Sequence, residues 1–473
     1  MFRFIIFCTF CLYFMGMLWG SVPLFGQTVL MGELKNAEQK DIYIVLHQQY
    51  FCYQPLIKVA ELNENRFSQD LPITKPSLAY LHCGQQVLQI FLNPQDTLFL
   101  SADARDLLST VRFAGRSNND NNLLAIFNRD FLSQNSPSEL AEQYKEATEK
   151  SFVEKTEQKR KEQMKFLTQF KKKNGISKTF EDYIITLINY TWANELLTFP
   201  AYKSYYENKT FKPEDLKYYD FLDKMVASDS SKLLCFEYAQ FLKNYIYHLQ
   251  DLDVKSLTAT VYPSFYPKLY DLAQTKLKGS ALEHTQAFLI SEALKGGAAT
   301  SVSALIDDFL SKASSNAYKS ILKQHLAQLE TLKSGQKAPQ FALPDLKGEK
   351  KGLYSFKNKV VYITFWASWC EPCRDEILFA NRLKKAAADD NLIMLYISLD
   401  ENDAEWRASV QDLDVEGVHL HESGLYGTVA RLFAIDGLPA YFIINKKGQL
   451  AASQAKRPSQ KGLLEDLKLL LLE

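Results

Sequence analysis

The stretch "YITFWASWCEPCRDE", Tyr362 to Glu376, decides how this 473-residue chain is read. An apolar run, VVYITFW (360–366), reads as a buried strand, and CEPCRDEILFANRLKKA (370–386) as the helix that follows it. Cys370 then falls on the first helical turn, where backbone N–H groups have no intrahelical partner and the positive end of the dipole favours a thiolate. With Cys370 at the N-cap and Pro372 unable to donate, the N–H of Cys373 is the natural partner of the Cys370 sulfur. One thiol is thus expected activated and exposed, the other a turn behind it. Thiol–disulfide exchange needs this arrangement: one sulfur attacks, a mixed disulfide forms, and the second sulfur resolves it. A zinc site would need two more ligands, yet no second close cysteine pair exists and the seven histidines show no ligand spacing, so no metal is expected. A permanent staple closing so short a loop would remove little unfolded-state entropy.

Outward from the motif, LIMLYISLD (392–400), NDAEWRASVQ (402–411), AYFIIN (440–445), QLAAS (449–453) and a final helix from Ser459 continue the alternation. Continuous apolar strands between helices predict a buried, largely parallel sheet. The last two strands, joined through Lys446-Lys447-Gly448, can only be antiparallel.

Three segments, "APQFALPDLKG" (338–348), "FWASWCEPC" (365–373) and "GLPAYFIIN" (437–445), resemble in order the thioredoxin superfamily and, within it, the TlpA/ResA-like exported thiol-disulfide oxidoreductases. The resemblance covers about the last 140 residues, here 334–473. It implies a redox-active Cys370/Cys373 pair, a disulfide-containing protein substrate and a membrane thiol-electron donor. It also implies a cis peptide before Pro439 facing the cysteines, with Trp369, Leu438 and Pro439 as substrate contacts. No cofactor is expected. Glu376 shares a helix face with Cys373, Ile377, Ala380 and Leu383, so burial would raise its pKa and let it take the proton that Cys373 must lose. The resemblance links a glutamate at this position to such a role; the alternative is a carboxylate at the helix rim, exposed to water. Thioredoxin carries a buried aspartate in the strand before the motif, where Thr364 stands here and cannot act as a base. Glu371, between the cysteines, disfavours the thiolate modestly and suits a reductant.

The rest of the chain carries less chemistry. Lys+Arg and Asp+Glu both total 55, so the basic footprint of a nucleic-acid binder is missing. Met1-Phe2-Arg3, the apolar run Phe4 to Trp19 and the small-residue stretch to Gly26 read as a secretory signal, residues 1–26, or as an uncleaved anchor. Both place the bulk of the chain in the periplasm or cell envelope. Of the seven cysteines, Cys8 and Cys11 lie in that segment, which leaves Cys52, Cys83, Cys235 and the motif pair, too few for a disulfide-stapled scaffold. Cys52 and Cys83 either pair or are two unrelated buried thiols.

Residues 27–116 alternate in short runs (29–34, 41–46, 56–60, 77–82, 87–92 and 97–102), the pattern of an antiparallel β-sandwich-like domain. With its "FLNPQDTLFL" segment it resembles the β-domain of unknown function that often precedes exported thioredoxin-like domains. From 117 to 333 the period is helical. Ser136-Pro137-Ser138-Glu139 is a capping box whose helix is expected to stop at Lys171-Lys172-Lys173, and Phe211 to Met225 reads as another helix start. The charge run from Lys155 to Lys173 reads as a solvated face, and the aromatic stretch Tyr190 to Tyr206 as helical core or a peptide groove. A linker, Ser334 to Lys337, precedes the last domain.

The expected function is an exported reductase of protein disulfides. Two alternatives remain: a thiol peroxidase, although Ala367 stands where peroxiredoxins carry threonine, and a peptide- or partner-binding module with a secondary redox domain.

Overall fold

A computed structural model describes residues 27–37, 41–46, 56–84, 86–132, 137–226, 229–250, 265–295, 299–414, 416–424, 427–435 and 437–473. The expected signal or anchor (1–26) and Cys52 lie outside the described residues. Two compact units divide the chain: Met1–His47, Lys58–Asn135 and Gln163–Ile185 form one, and Gln48–Ile57, Ser136–Glu162 and Thr186–Glu473 the other. The helical region expected at 117–333 is therefore shared between them.

In the first unit, strands β1 (Thr28–Lys35), β2 (Asp41–Leu46), β3 (Leu56–Glu61), β4 (Arg66–Leu71), β5 (Ser77–Cys83), β6 (Gln86–Leu92), β7 (Thr97–Asp103) and β8 (Arg112–Gly115) form two four-stranded sheets, β4-β1-β7-β8 and β3-β2-β5-β6. One expectation needs correction: β1 runs parallel to β7, so the first sheet is mixed. The long excursion through β2 to β6 supplies the crossover that parallel neighbours require. Strands β4 and β8 were not anticipated, because RFSQDL buries only Phe67 and Leu71 and RFAG is four residues long. Helix α1 (Asn118–Phe127) is tied to β6 by Asn121, whose amide accepts from Phe91 N at 2.8 Å and donates to Phe91 O at 2.9 Å.

Helix α2 (Pro137–Glu146) begins at the proline, which has no N–H to lose there. It stops well before the lysine run, and a second helix, α3 (Glu149–Asn174), carries the charged face. Thr148 and Ser151 exchange side-chain hydrogen bonds at the break between them. Helix α4 (Lys178–Glu207) follows. The aromatic stretch fills a core: Phe199 stacks on Phe152 at 4.0 Å, and the Tyr218 hydroxyl donates to Leu196 O at 2.8 Å. Phe211 to Met225 is not a full helix. Glu149 accepts from the N–H groups of Glu214 and Asp215, holding that segment in turns until a single helical turn, Leu222–Met225. Helices α5 (Phe236–Leu249), α6 (Tyr266–Lys276), α7 (Gly279–Lys295), α8 (Ala299–Lys312) and α9 (Asn316–Thr331) complete the middle region.

Beyond α9, the two-residue strands β9 (Leu343–Pro344) and β10 (Lys350–Lys351) form a small hairpin. The main sheet runs β13-β12-β11-β14-β15, with β11 (Val360–Trp366), β12 (Leu392–Ser398), β13 (Val418–His421), β14 (Ala440–Ile444) and β15 (Leu450–Ala452). β12 is parallel to β11 and β13, whereas β14 is antiparallel to β11 and β15. Strand β11 is buried along its whole length because both faces are covered. Val360, Tyr362 and Trp366 face a core shared with α10 (Glu371–Ala387) and α13 (Leu463–Leu472). Val361, Ile363 and Phe365 face a second core with α12 (Thr428–Leu432) and the lead-in residues Ala338, Phe341 and Leu343. Helix α11 (Asp403–Asp412) follows β12 and contributes Trp406 to the first core. The expected linker is itself paired: Gly335 N donates to Leu450 O and Leu450 N to Gln336 O, both at 2.8 Å.

Candidate redox site

Strand β11 ends at Trp366, and the turn Ala367-Ser368-Trp369 delivers Cys370 to the N-cap of α10. Cys370 has extended backbone angles (φ −85°, ψ 92°), and its sulfur accepts from Cys373 N at 3.3 Å. The two cysteines are joined as a disulfide, with Cα atoms 5.2 Å apart. The expected exposure of Cys370 needs correction. In this oxidised form it is 5% exposed against 1% for Cys373, because both sulfurs belong to the core that Trp366, Ile377 and Tyr441 build beneath them. Trp369, by contrast, is 54% exposed beside the pair.

The Leu438–Pro439 peptide is cis. The β11–β14 register ends with Phe365 opposite Ala440, and Leu438 and Pro439 lie in the bend just before β14. Leu438 packs against both cores of the domain. Glu376 lies one turn beyond Cys373 and is half-buried. Its two carboxylate oxygens accept from Ser459, at 2.9 Å from the backbone N and 2.7 Å from the hydroxyl. The carboxylate is therefore held at the helix flank by the turn before α13. Thr364 is buried, between Tyr396 and Tyr441 in the strand register. Burial pushes the phenols of Tyr362, Tyr396 and Tyr441 well above their ordinary range.

Two acidic residues at the end of β12 were not singled out from the sequence. Asp400 is fully buried, and Ser368 N reaches both of its oxygens at 3.0 Å. The hydroxyls of Ser368 and Ser398 donate to it at 2.6 and 2.7 Å. Glu401 is half-buried, and its carboxyl is pushed up to about 7 by desolvation. An available signal was "ISLD": a charge closing an apolar strand at the carboxyl edge of a parallel sheet, where sites of this architecture gather. Among the described residues no cluster of three His, Cys, Asp or Glu side chains could hold a metal ion.

A profile of the AhpC/TSA family matches residues 334–453. Thiol-disulfide oxidoreductase ResA of Bacillus cereus is 28% identical over 144 residues, which are 30% of this chain and 82% of that one. Thioredoxin-like protein YneN of Bacillus subtilis is 29% identical over 136 residues, 28% of this chain and 75% of its own. A solved thiol-disulfide oxidoreductase from Bacteroides fragilis is 30% identical, with 28% of this chain and 99% of that one covered; its TM-score is 0.26, so the structural likeness adds no weight of its own. The cysteine pair capping α10, the matched profile and these sequence relatives converge: the C-terminal part of the chain is a TlpA/ResA-like member of the thioredoxin superfamily.

Proposed function

We propose that the protein is an exported thiol-disulfide oxidoreductase that reduces protein disulfides through Cys370 and Cys373. The observation that carries this reading is the Cys370 sulfur at the N-cap of α10, accepting the Cys373 N–H. Both features stabilise a thiolate more than a thiol. In the reduced protein the Cys370 thiolate attacks one sulfur of a substrate disulfide, the substrate S–S bond breaks, and its other sulfur leaves as a thiolate. Cys373 gives its proton to Glu376 and attacks the Cys370 sulfur of the mixed disulfide, so the second substrate sulfur leaves. Two electrons pass to the substrate, which takes its protons from water, and the protein is left as the disulfide seen here.

A membrane thiol donor outside the cytoplasm returns the two electrons, and the apolar segment from Phe4 to Trp19 is the export signal. Trp369, exposed next to Cys370 in the chain, and Leu438 with the cis Pro439 just before β14 are the residues against which the substrate peptide would lie. The test is insulin reduction by the wild type and by Cys370→Ser. Turnover that vanishes in the variant supports the reading, and equal turnover ends it. Cys373→Ser should trap covalent partners through Cys370.

A further inference from the structure

The carboxylate of Asp400 is unlike the other acids of this domain. It is 0% exposed, and among the described residues no cation forms an ion pair with it. A buried charge without a counter-ion persists only where hydrogen bonds replace its hydration. Here the replacement comes largely from one residue, Ser368, through its N–H to both oxygens and its hydroxyl to Oδ1. Ser398 completes the set, donating to Oδ2 while its own oxygen accepts from Asp400 N at 3.0 Å. From the other side, the Asp400 carbonyl lies 2.8 Å from His421 Nε2, in a ring stacked on Trp406 at 4.8 Å. The end of β12 is thus rigid on one side and grips the 367–369 turn on the other.

That turn is what sets Cys370 on the helix cap. Ser368 is two residues from Cys370, no more than about 7 Å of extended backbone. We propose that Asp400 is a positioning residue of the redox pair, which fixes the turn before Cys370 and whose buried negative charge disfavours the Cys370 thiolate, keeping the couple reducing. The effect has a definite sign. A nearby anion raises the free energy of the thiolate, the reduced protein is then less favoured, and electrons are given up more readily.

The inference rests on Cys370 as the reacting sulfur, and its test is separable from that reading. In the full chain, Asp400→Asn keeps the shape and one acceptor but removes the charge. Alkylation of reduced Cys370 at neutral pH should rise about tenfold, the size expected for one unit charge within about 10 Å at an effective dielectric near 20. At alkaline pH, where reduced Cys370 is ionised with or without the charge and the alkylation rates converge, the equilibrium with glutathione should instead move about tenfold toward the reduced protein, about 30 mV. The double variant Ser368→Ala/Ser398→Ala strips two donors and leaves the charge less offset, so alkylation should slow about threefold. It supplies a readout of opposite sign should Asp400→Asn fail to fold. A purely architectural carboxylate would lower the melting temperature in both variants and move neither readout, and that result overturns the proposal. Loss of Cys370-dependent insulin turnover in the wild type would instead sink the functional reading, and is measured independently.

Discussion

Replacing Glu376 by Gln should separate attack from resolution. Glu376 and Cys373 are three residues apart on one face of α10, with Cβ atoms at the roughly 5–6 Å of such pairs. On the proposed mechanism a carboxylate so placed would take the Cys373 proton directly or through one water, and general-base help of this kind is worth about 10² to 10⁴ in rate. Its oxygens are engaged by Ser459, and the hydroxyl must turn away before a proton can be accepted, which favours the lower end, about 10². The amide keeps the side chain's shape and one acceptor, so the fold should lose only about 1 kcal/mol. The assay is a single-turnover reaction of reduced protein with a fluorescent disulfide, followed across pH. In the variant the mixed disulfide should accumulate at pH 7, and resolution should climb with pH as hydroxide replaces the missing base, converging with the wild type in alkaline solution. Ser459→Ala, which keeps the carboxylate, should stay within about threefold of the wild type. Superimposable pH profiles for Glu376→Gln and wild type would refute the proton-acceptor role.

Other consequences are simpler to measure. The Glu401 carboxyl holds its proton up to about 7 in the folded protein but loses it near 4.5 when unfolded, so the folded state binds more protons between those values and stability falls as pH rises through that window. Glu401→Gln should flatten that decline and be the more stable form at pH 8 by about 1 kcal/mol, discounted for partial exposure, as read from urea midpoints. Tyr362→Phe removes a 2.8 Å hydrogen bond to Lys456 O while keeping the ring stacked on Tyr441; water can reach the exposed Lys456, so the loss should be about 1 kcal/mol. Gly352→Ala would set a Cβ 1.9 Å from the main-chain oxygen of Phe341, which has no flexible end to yield. That change should cost more than about 3 kcal/mol or abolish soluble expression, and a wild-type midpoint would contradict it.

The C-terminal strands were legible because covering both faces of β11 and β12 forces uninterrupted apolar runs, and 360–366 and 392–398 are such runs. Strand β13 and helix α12 escaped notice because four and five residues cannot display a period. The Cys370 cap was readable because donor and acceptor are three residues apart. Asp400 was not, since its main donor lies 32 residues away and nothing local announces the pairing. At 211–225 a helix start is written in the sequence, yet only turns and the single helical turn Leu222–Met225 form, with the N–H groups of Glu214 and Asp215 donating to Glu149, 65 and 66 residues earlier. Glu376 lies one turn beyond Cys373 on α10, but its hydrogen bonding is set by Ser459, 83 residues on, which nothing local announces.

The paired stretch after α9 bears on how this domain can be cut out for study. Residues 335–338 run along the outer side of β15, through Gly335 and Gln336 with Leu450, Lys337 bridging Gln449, and Ala338 with Gly448. On the far flank, Asp345 bridges Leu420 of β13. Both margins of the sheet are thereby sealed by one incoming segment, and Leu332 plugs the core behind it. A fragment started at residue 340 would bare the β15 margin to sticky strand-to-strand association, whereas one started near 330 would carry its own seal.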